Sequence, residues 1–365
     1  MRILFLADIN SIHTQRWAIA LKKRGAIIGV FSLNPVHSGN PDLDGIQVFC
    51  PAQFKRDLSH DGLFTKMKYL TLLTKVRKCI RSFSPDIVHA HYASSYGILG
   101  SLSRFHPFIL SVWGSDVFDF PRRSFLTRFL LRFNFRNADQ ILSTSHVMAE
   151  ETRKYTPKKI LITPFGIDTT LFKPDKTGQP SMSDSIIIGT TKALEPEYGI
   201  EYLIRAFGYL KEKHPDLSLK LIIAGGGSLE QDLKNLVVTL NLEKEVIFAG
   251  KIPHDAIPAF LNQLDIYAAL SISESFGVSI IEASACELPV VVSSAGGLKE
   301  VVEDGITGLL VKPEDPIETV TAVEKLLINE DLRKEMGRNG RKRVKKMYNW
   351  TDNVDEMLKI YQHFL

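Results

Sequence analysis

The amino-acid sequence predicts an α/β protein built from two Rossmann-like domains, each a doubly wound parallel sheet. Short apolar runs rich in β-branched residues alternate with amphipathic stretches of helical period, a pattern typical of βαβ units. Several runs, such as residues 186–189 and 289–293, are apolar at nearly every position. Strands of this kind are covered on both faces, as in a parallel sheet flanked by helices.

Six strands are predicted on each side of a polar segment, residues 173–185. That segment is rich in Pro, Gly and Ser and predicts an interdomain linker. We therefore expect an N-terminal domain over residues 1–172 and a C-terminal domain over residues 173–349. A helix over 350–365, with Thr351 as its N-cap, is expected to pack back on the first domain. The predicted strands are 2–7, 27–31, 86–90, 108–113, 139–143, 160–164, 185–189, 219–224, 245–249, 265–269, 289–292 and 308–311, and further helices are predicted at 200–213 and 316–328.

The composition favours a cytoplasmic globular protein. The 365 residues are 44% hydrophobic and 24% charged, a balance that suits two domains. Cys50, Cys79 and Cys286 lie far apart without metal or redox spacing, which favours a reducing compartment. The first apolar run ends at Asp8 and is too short for a signal peptide, and no run of 18 apolar residues predicts a membrane span.

The charge is divided unevenly along the chain. Residues 1–173 hold 24 Lys and Arg against 12 Asp and Glu, whereas the remainder holds 21 against 29, so the two parts carry +12 and −8. The asymmetry favours an anionic surface or ligand at the first part, over the alternative that the charge serves only solubility. Residues 122–136, RRSFLTRFLLRFNFR, combine five arginines with Phe and Leu, and residues 66–81 form a second basic stretch.

Both basic stretches predict contact with an anionic membrane surface. A basic amphipathic helix is typical of a segment that lies on such a membrane. The alternative is a helix that packs its Phe and Leu strip into the first domain and solvates its arginines. We expect a cytoplasmic protein that binds peripherally to the inner face of the cell membrane, through residues 122–136 and 66–81.

Residues 271–282, SISESFGVSIIE, form the most informative segment of the sequence. They follow a predicted buried strand and open a helix, and Gly277 at the junction allows backbone N–H groups to approach a ligand. A helix N-terminus suits a diphosphate. Glu274 and Glu282 can accept hydrogen bonds from hydroxyls on either side of it. Alternatively, Glu282 faces solvent and Glu274 caps the helix, and the residues alone leave these two interpretations even.

Glu274 and Glu282, with seven residues between them, resemble the paired-glutamate motif of the retaining family 4 glycosyltransferases. The resemblance implies the GT-B fold, in which two such domains face a central cleft. It also implies a nucleotide-sugar donor held mainly by the second domain, and retention of the anomeric configuration. The segments that carry it are the glutamate segment and residues 164–168, 172–174, 224–227, 246–250, 288–291, 296–297 and 304–308.

The resemblance assigns roles at the donor side. Glu282 is expected to hold the ribose and Glu274 to contact the donor sugar. Lys192, at a strand end, is the cation expected to stabilise the diphosphate leaving group, and an ordinary exposed lysine is the alternative. The family's second basic residue is replaced here by Tyr198. The other residues expected to bind the donor are Gly225, Gly226, Lys251, Ile252, Ser275, Phe276, Gly277 and Val278, with Lys251 and Ile252 against the nucleobase.

The first half is expected to hold the acceptor. His13 and Arg16 open the first helix, where a doubly wound fold places a ligand-facing loop. This chain has them where the family has a glycine-rich loop. Trp113 stands where the family often has a histidine that contacts the donor sugar, and Asp116 follows it. We expect His89 and His91 on opposite faces of a strand, with His89 in the core and His91 a catalytic residue in the cleft.

No metal or cofactor is expected. Residues 42–44 match the D-x-D pattern, but their Pro and Gly neighbours predict a turn, and no His, Cys or Asp cluster has ligand spacing. The predicted function is metal-independent, retaining transfer from a nucleotide sugar, UDP-sugar ahead of GDP-sugar, to a glycan or lipid-linked acceptor in surface polysaccharide or glycolipid synthesis. No nucleic-acid partner is expected.

Two other functions remain open on the sequence. A nucleotide-sugar 2-epimerase shares the implied fold, and the departures at Tyr198 and Trp113 would suit a non-catalytic subunit that binds a nucleotide sugar or glycan. An NAD-dependent dehydrogenase fits less well, because the glycine spacing of a dinucleotide fingerprint is absent from the sequence.

Overall fold

The computed structural model describes residues 1–37, 41–51, 63–175 and 185–365, with side chains described except at residues 41 and 63–70. The chain divides into two compact units, Met1–Phe165 with Asp352–Leu365, and Gly166–Thr351. The division precedes the boundary expected at residues 172 and 173. Most of the expected linker, residues 176–184, lies outside the described residues.

The first unit contains a seven-stranded sheet in which every described pair of neighbouring strands is parallel. Its strand order is β3-β2-β1-β4-β5-β6-β7, so the chain winds outward from β1 in one direction and then from β4 in the other. The elements are β1 (Arg2–Leu6), α1 (Ile12–Lys23), β2 (Ile27–Phe31), β3 (Gln47–Phe49), α2 (Leu63–Phe83), β4 (Ile87–His91), α3 (Ser95–Ser103), β5 (Phe108–Val112), α4 (Ser115–Phe118), α5 (Phe125–Asn137), β6 (Gln140–Ser143), α6 (His146–Arg153) and β7 (Ile160–Ile162).

The second unit contains a six-stranded sheet, again with parallel neighbours, in the order β10-β9-β8-β11-β12-β13. The direction of winding reverses between β8 and β11. Its elements are β8 (Ile186–Thr190), α7 (Ile200–Lys213), β9 (Leu219–Ala224), α8 (Glu230–Thr239), β10 (Val246–Gly250), α9 (Ile257–Leu261), β11 (Ile266–Ala269), α10 (Val278–Ala285), β12 (Val290–Ser293), α11 (Leu298–Val301), β13 (Gly308–Val311), α12 (Pro316–Leu327) and α13 (Glu330–Met347), followed by α14 (Trp350–Gln362).

The central strands explain the continuous apolar runs of the sequence. Every residue of β4, β5, β11 and β12 is buried, because helices cover both faces of each sheet. All twelve predicted strands are present, with ends that differ by at most two residues. The parallel doubly wound fold class is confirmed.

The sequence missed β3, a three-residue strand at the edge of the first sheet. Gln47 is exposed and the next two residues are half-buried, so the segment lacks the buried run that marks the other strands. Residues 41–43 form a single 3₁₀ turn, which confirms the turn expected at the D-x-D match.

The final helix begins one residue before the expected cap. Asn349 Oδ1 accepts a hydrogen bond of 2.9 Å from the Thr351 N–H, so the capping side chain is Asn349 and the assignment of Thr351 was wrong. From Asp352 onward the helix belongs to the first unit. There Tyr361 is fully buried and its hydroxyl lies 2.7 Å from Nδ1 of His89.

Candidate functional site

The reversal of winding in the second sheet places two loops side by side. Lys192 follows β8 and Glu274 follows β11, and β8 and β11 are neighbours in the sheet. Ligands of open α/β sheets bind at the carboxyl ends of strands where the strand order reverses. The structure therefore brings together two residues that are 82 positions apart in the sequence, at the position where this fold class binds ligands.

Lys192 and Glu274 form a buried ion pair. Nζ of Lys192 donates to Oε2 of Glu274, and the exposed fractions of the two side chains are 7% and 14%. Burial works to lower the pKa of Lys192, but the Glu274 carboxylate, together with Tyr267 and Tyr198, outweighs burial and the pKa is raised. Lys192 therefore carries its charge at neutral pH, and the alternative of an ordinary exposed lysine is wrong.

The aromatic ring of Tyr198 lies beside the ion pair of Lys192 and Glu274. Its ring centroid lies 5.2 Å from Nζ of Lys192, within the range of a cation–π contact. The turn that carries Tyr198 is tied to the glutamate loop, because Ile272 N–H donates to the carbonyl oxygen of Glu197 at 2.8 Å. The chain thus has an aromatic face where the family resemblance leads one to expect a second cation.

The glycine loop after β9 packs directly on the backbone that carries Lys192. A Cβ at Gly225 would collide with the Lys192 carbonyl oxygen, and a Cβ at Gly226 would lie 2.8 Å from Cε of Lys251. Leu194 N–H donates to the Gly226 carbonyl at 3.2 Å. Glycine is required here for close approach of backbone segments, and the stem of Lys251 covers the loop.

The start of α10 is shaped by a second set of close backbone contacts. Gly277 has a φ of 101°, in the left-handed region that favours glycine, and it immediately precedes the helix. Gly297 N–H donates to the Glu274 carbonyl at 2.9 Å. The Phe276 side chain is 2% exposed and packs edge-on to Tyr348, so only its main chain is available to a ligand.

Glu282 lies inside α10 and is buried. Its side chain is 8% exposed, and Oε1 lies 3.2 Å from Nε2 of His254. A solvent-facing Glu282 is therefore wrong, and so is a helix cap at Glu274, whose carboxylate is engaged by Lys192. Sequence analysis missed His254, which stands alone in a polar turn after β10.

Three buried hydroxyls near these loops have no hydrogen-bond partner in the described part of the chain. Thr190 ends β8, Ser271 follows β11 and Ser279 lies in the first turn of α10. Of the remaining residues expected at the donor side, Ser275 and Val278 are half-buried beside Gly277, Ile252 is half-buried and Lys251 is exposed.

The carboxyl edge of the first sheet holds an aromatic cluster instead. The ring centroids of His13 and Phe165 are stacked 4.0 Å apart, and Trp113 lies 4.3 Å from His91 and 5.5 Å from Tyr92. We call these five residues the aromatic cluster. Tyr92 is 37% exposed and has a φ of 72°, which is rare for a bulky side chain and marks functional sites more often than other positions.

The expectation that His89 and His91 lie on opposite faces was wrong. Residues two apart in a strand point to the same side, and the two imidazole centroids are 4.8 Å apart. His89 is a core residue as expected, with hydrogen bonds of 2.7 Å to Tyr361 and Ser111. His91 is only 2% exposed, so it is not a surface group. Burial lowers the pKa of His89 to about 3 and holds that of His91 well below its usual value.

Asp116 serves the backbone of its own loop. Its carboxylate accepts hydrogen bonds from the N–H groups of Ala93, Trp113 and Gly114 at 2.7, 3.2 and 2.9 Å. Asp116 is 1% exposed, and burial raises its pKa against the effect of these donors. The side chain braces the loop that holds Trp113. Arg16 is half-buried on α1.

The arginine-rich helix α5 presents both charge and apolar surface to solvent. Phe125, Leu126 and Phe129 are 79%, 51% and 59% exposed, while Leu131 and Phe135 on the opposite side are fully buried. The alternative in which the whole Phe and Leu strip packs inward is wrong. The arginines of residues 122–136 are exposed, as are Lys75, Arg77, Lys78 and Arg81 of α2.

The described ranges contain neither a membrane-spanning helix nor a cluster of metal ligands. None of the helices there is long and apolar enough to cross a bilayer. No group of three or more His, Cys, Asp or Glu side chains in those ranges is arranged as metal ligands would be.

Two family models match the chain. The model described as Glycosyl transferases group 1 matches residues 173–343, and the one described as Glycosyl transferase 4-like matches residues 2–145. An uncharacterised glycosyltransferase of Methanocaldococcus jannaschii is 28% identical over 310 residues, 84% of this chain and 84% of that protein. A D-inositol 3-phosphate glycosyltransferase of Corynebacterium jeikeium is 29% identical over 386 aligned residues, 96% of this chain and 91% of that protein.

Among solved structures, Anabaena HepE in complex with UDP matches with a TM-score of 0.83 at 20% identity, covering 100% of both chains. At that identity the likeness establishes the fold, so the two parallel-sheet units make this a protein of the GT-B class. One family model falls on each unit: the second unit matches the group 1 glycosyltransferases and the first unit matches the glycosyltransferase 4-like family.

Proposed function

We propose that the protein transfers a sugar from a nucleotide-sugar donor to a glycan or lipid-linked acceptor, with retention of configuration and without a metal ion. The observation that carries the proposal is a pair of contacts in the second unit, the buried ion pair of Lys192 with Glu274 and the contact of the buried Glu282 with His254. A buried cation and two carboxylates around a helix N-terminus suit a diphosphate that is flanked by hydroxyl-bearing groups.

The donor is proposed to lie along the carboxyl edge of the second sheet. Glu282 accepts hydrogen bonds from the ribose and Glu274 from the donor sugar. The main chain of residues 276–278, at the start of α10, is available to the phosphates and the sugar. Lys251 and Ile252 take the base, and the glycines at 225 and 226 let the backbone approach the diphosphate. UDP-sugar is favoured, since Anabaena HepE has been solved with UDP and with UDP-glucose.

The chemistry follows from the position of Lys192. The bond from the anomeric carbon to the diphosphate oxygen breaks, and the acceptor oxygen bonds to the same carbon from the same side. The acceptor proton passes to the departing phosphate oxygen. A fixed cation beside that oxygen stabilises the charge that develops on it, which is the largest single contribution a site of this kind makes. Retention results because both bonds lie on one face of the sugar.

The acceptor is proposed to bind at the aromatic cluster of the first unit. The exposed edge of Tyr92, with His13 and Trp113 behind it, offers flat apolar rings, and Arg16 adds a positive charge nearby on α1. Such rings pack well against the C–H face of a sugar or cyclic polyol. The Corynebacterium relative is named for a cyclic polyol phosphate, which supports an acceptor of this kind.

We further propose that the protein acts in the cytoplasm at the inner face of the cell membrane. The exposed Phe125, Leu126 and Phe129 of α5 lie among arginines, which is the surface that an anionic bilayer attracts. A lipid-linked acceptor must be reached at a bilayer. The role proposed on this basis is assembly of a surface polysaccharide or glycolipid.

An acceptor-dependence assay tests the proposal. UDP-, GDP- and ADP-sugars are each incubated with and without pooled glycan and lipid-linked acceptors, and nucleotide release is measured. We expect release that depends on acceptor, survives a chelator, and gives a product whose anomeric signal by NMR matches that of the donor. Acceptor-independent release or an epimerised sugar would replace the transferase with an epimerase. Tight binding without turnover would indicate a non-catalytic subunit, and loss with chelator restored by Mn²⁺ or Mg²⁺ would contradict metal independence.

A further inference from the structure

His254 contacts the buried carboxylate of Glu282 on α10. Glu282 lies in the middle of α10, whose residues from Ile280 onward are buried. A carboxylate at such a depth is costly unless its oxygens are hydrogen-bonded. Nε2 of His254 lies 3.2 Å from Oε1 of Glu282, and this contact crosses from the turn after β10 to α10.

The imidazole is itself held in place. His254 begins a 3₁₀ turn, residues 254–256, directly after Pro253, and its ring packs at 64° to Phe172 with the centroids 5.7 Å apart. Its side chain is 38% exposed, against 8% for Glu282. His254 therefore stands at the solvent side of the carboxylate, in the same turn as Lys251 and Ile252.

Among the described residues, His254 engages Oε1 of Glu282, which leaves the second oxygen of this carboxylate for a ligand. A ring N–H of His254 that donates to Oε1 fixes the rotation of the carboxylate, and both the neutral Nε2–H tautomer and the charged ring can donate in this way. The ionised Glu282 carboxylate can only accept hydrogen bonds. With Oε1 engaged by His254, the direction of the second oxygen is fixed, and that oxygen is suited to accept from the paired O–H groups of a vicinal diol.

We propose that His254 is a positioning residue, which orients Glu282 to recognise the 2′,3′-diol of the donor ribose. The inference rests on the proposed role of Glu282 in nucleotide binding and adds to it a second residue and a specific target. It distinguishes His254 from its neighbours Lys251 and Ile252, which are proposed to meet the base. The effect of changing His254 should therefore depend on the presence of the ribose hydroxyls.

A nucleotide pair isolates this effect. Binding of UDP and of 2′,3′-dideoxy-UDP is measured by calorimetry for the wild type and for the variants His254→Ala, His254→Gln and Glu282→Ala, and for the double variant. If GDP or ADP binds the wild type more tightly, that nucleotide and its dideoxy form are used. His214→Ala is the matched control, because His214 pairs with Glu324 at 2.7 Å in the same unit, away from these loops.

We expect His254→Ala to weaken UDP about tenfold, as loss of a hydrogen bond to a charged group does, and to leave dideoxy-UDP within twofold of the wild type. His254→Gln, whose amide N–H also donates, should recover most of the affinity. The alanine change should add nothing in the Glu282→Ala background, and His214→Ala should have no effect.

The possible outcomes distinguish failure of the positioning role of His254 from failure of the proposed donor site. Equal loss for UDP and dideoxy-UDP, or no loss for either, overturns the positioning role while Glu282→Ala still shows ribose-dependent weakening. If Glu282→Ala leaves UDP affinity unchanged, or no nucleotide binds the wild type, the proposed donor site itself fails. Thermal unfolding of each variant shows whether a loss of binding reflects a loss of folded protein.

Discussion

The two sheets share one strand topology, but the side chains at their carboxyl edges differ: those of the second sheet include an ion pair, and those of the first sheet are mainly aromatic. In the second unit, the loops after the reversing strands bring together the ion pair of Lys192 and Glu274, and the turn after β10 places His254 beside Glu282 of α10. In the first unit, the corresponding edge holds the aromatic cluster. Its most buried imidazole, that of His91, is kept neutral by burial, as is that of His89 beneath it.

Under the proposed function, this difference assigns the donor to the second unit and the acceptor to the first. A doubly wound sheet supplies the same concave position in each unit, and the residues just beyond the strand ends decide what binds there. A buried ion pair costs desolvation energy and is poor evidence for stability alone. Its presence at the second edge favours a charged ligand, whereas the rings of the first edge favour a ring-shaped ligand that packs against them.

The largest effect that tests this division is expected at Lys192. Replacing it with alanine should lower kcat by roughly 10²–10³, the cost of losing one fixed electrostatic group, about 3–4 kcal/mol. Initial rates with saturating donor and acceptor measure this. Lys234→Ala is the matched control, because Lys234 is a partly exposed lysine paired with Glu230 on α8. A variant with near-normal kcat would show that the charge at this edge serves the fold and not the reaction.

The neutral character of the first edge has its own signature in the pH dependence of stability. The pKa of His89 is lowered to about 3, so the unfolded chain takes up a proton that the folded state excludes. The free energy of unfolding should therefore fall as the pH drops from about 6.5 toward 3, by up to about 1.4 kcal/mol per pH unit for this residue. His91 adds an effect of the same sign.

Denaturant unfolding followed by tryptophan fluorescence measures this, since Trp17 and Trp113 lie in the first unit. His89→Gln should flatten the slope between pH 6.5 and 5, and His37→Gln, at an exposed position of the same unit, should leave it unchanged. An unaltered slope in the His89 variant would mean that this imidazole is charged in the folded protein.

The smallest effect is expected at α5 of the first unit. Vesicles containing phosphatidylglycerol should retain the protein at low salt and release it at high salt, while phosphatidylcholine vesicles retain little. Arg128→Glu and Arg132→Glu should each weaken retention by about 1 kcal/mol or more, because each removes an attractive charge. Arg153→Glu on α6 is the charge-matched control. Equal retention by neutral and anionic vesicles would assign the arginines to solubility.

Sequence patterns predicted the fold better than the contacts of the site. Long buried strands leave continuous apolar runs, so they were found, whereas β3 is short and half-exposed and left no such signal. The sequence placed Lys192 and Glu274 each at a strand end, but their pairing depends on the strand order β8-β11, which no local pattern encodes. His254 stood alone in a turn, and only the path of α10 shows what it faces. His89 and His91 were expected on opposite faces of their strand, although residues two apart in a strand point to the same face, so the spacing alone could have corrected this error.

Nucleotide binding tests the central claim, that the charged edge of the second unit holds the diphosphate and ribose of the donor. Calorimetric titration of UDP, GDP and ADP into the wild type, Lys192→Ala and Glu282→Ala measures it directly, with Trp113→Phe as a control on the first edge. We predict that at least one nucleotide binds and that each second-unit change weakens it tenfold or more, while Trp113→Phe leaves it unchanged. Binding that survives both second-unit changes, or no binding of any of the three nucleotides, would contradict the claim.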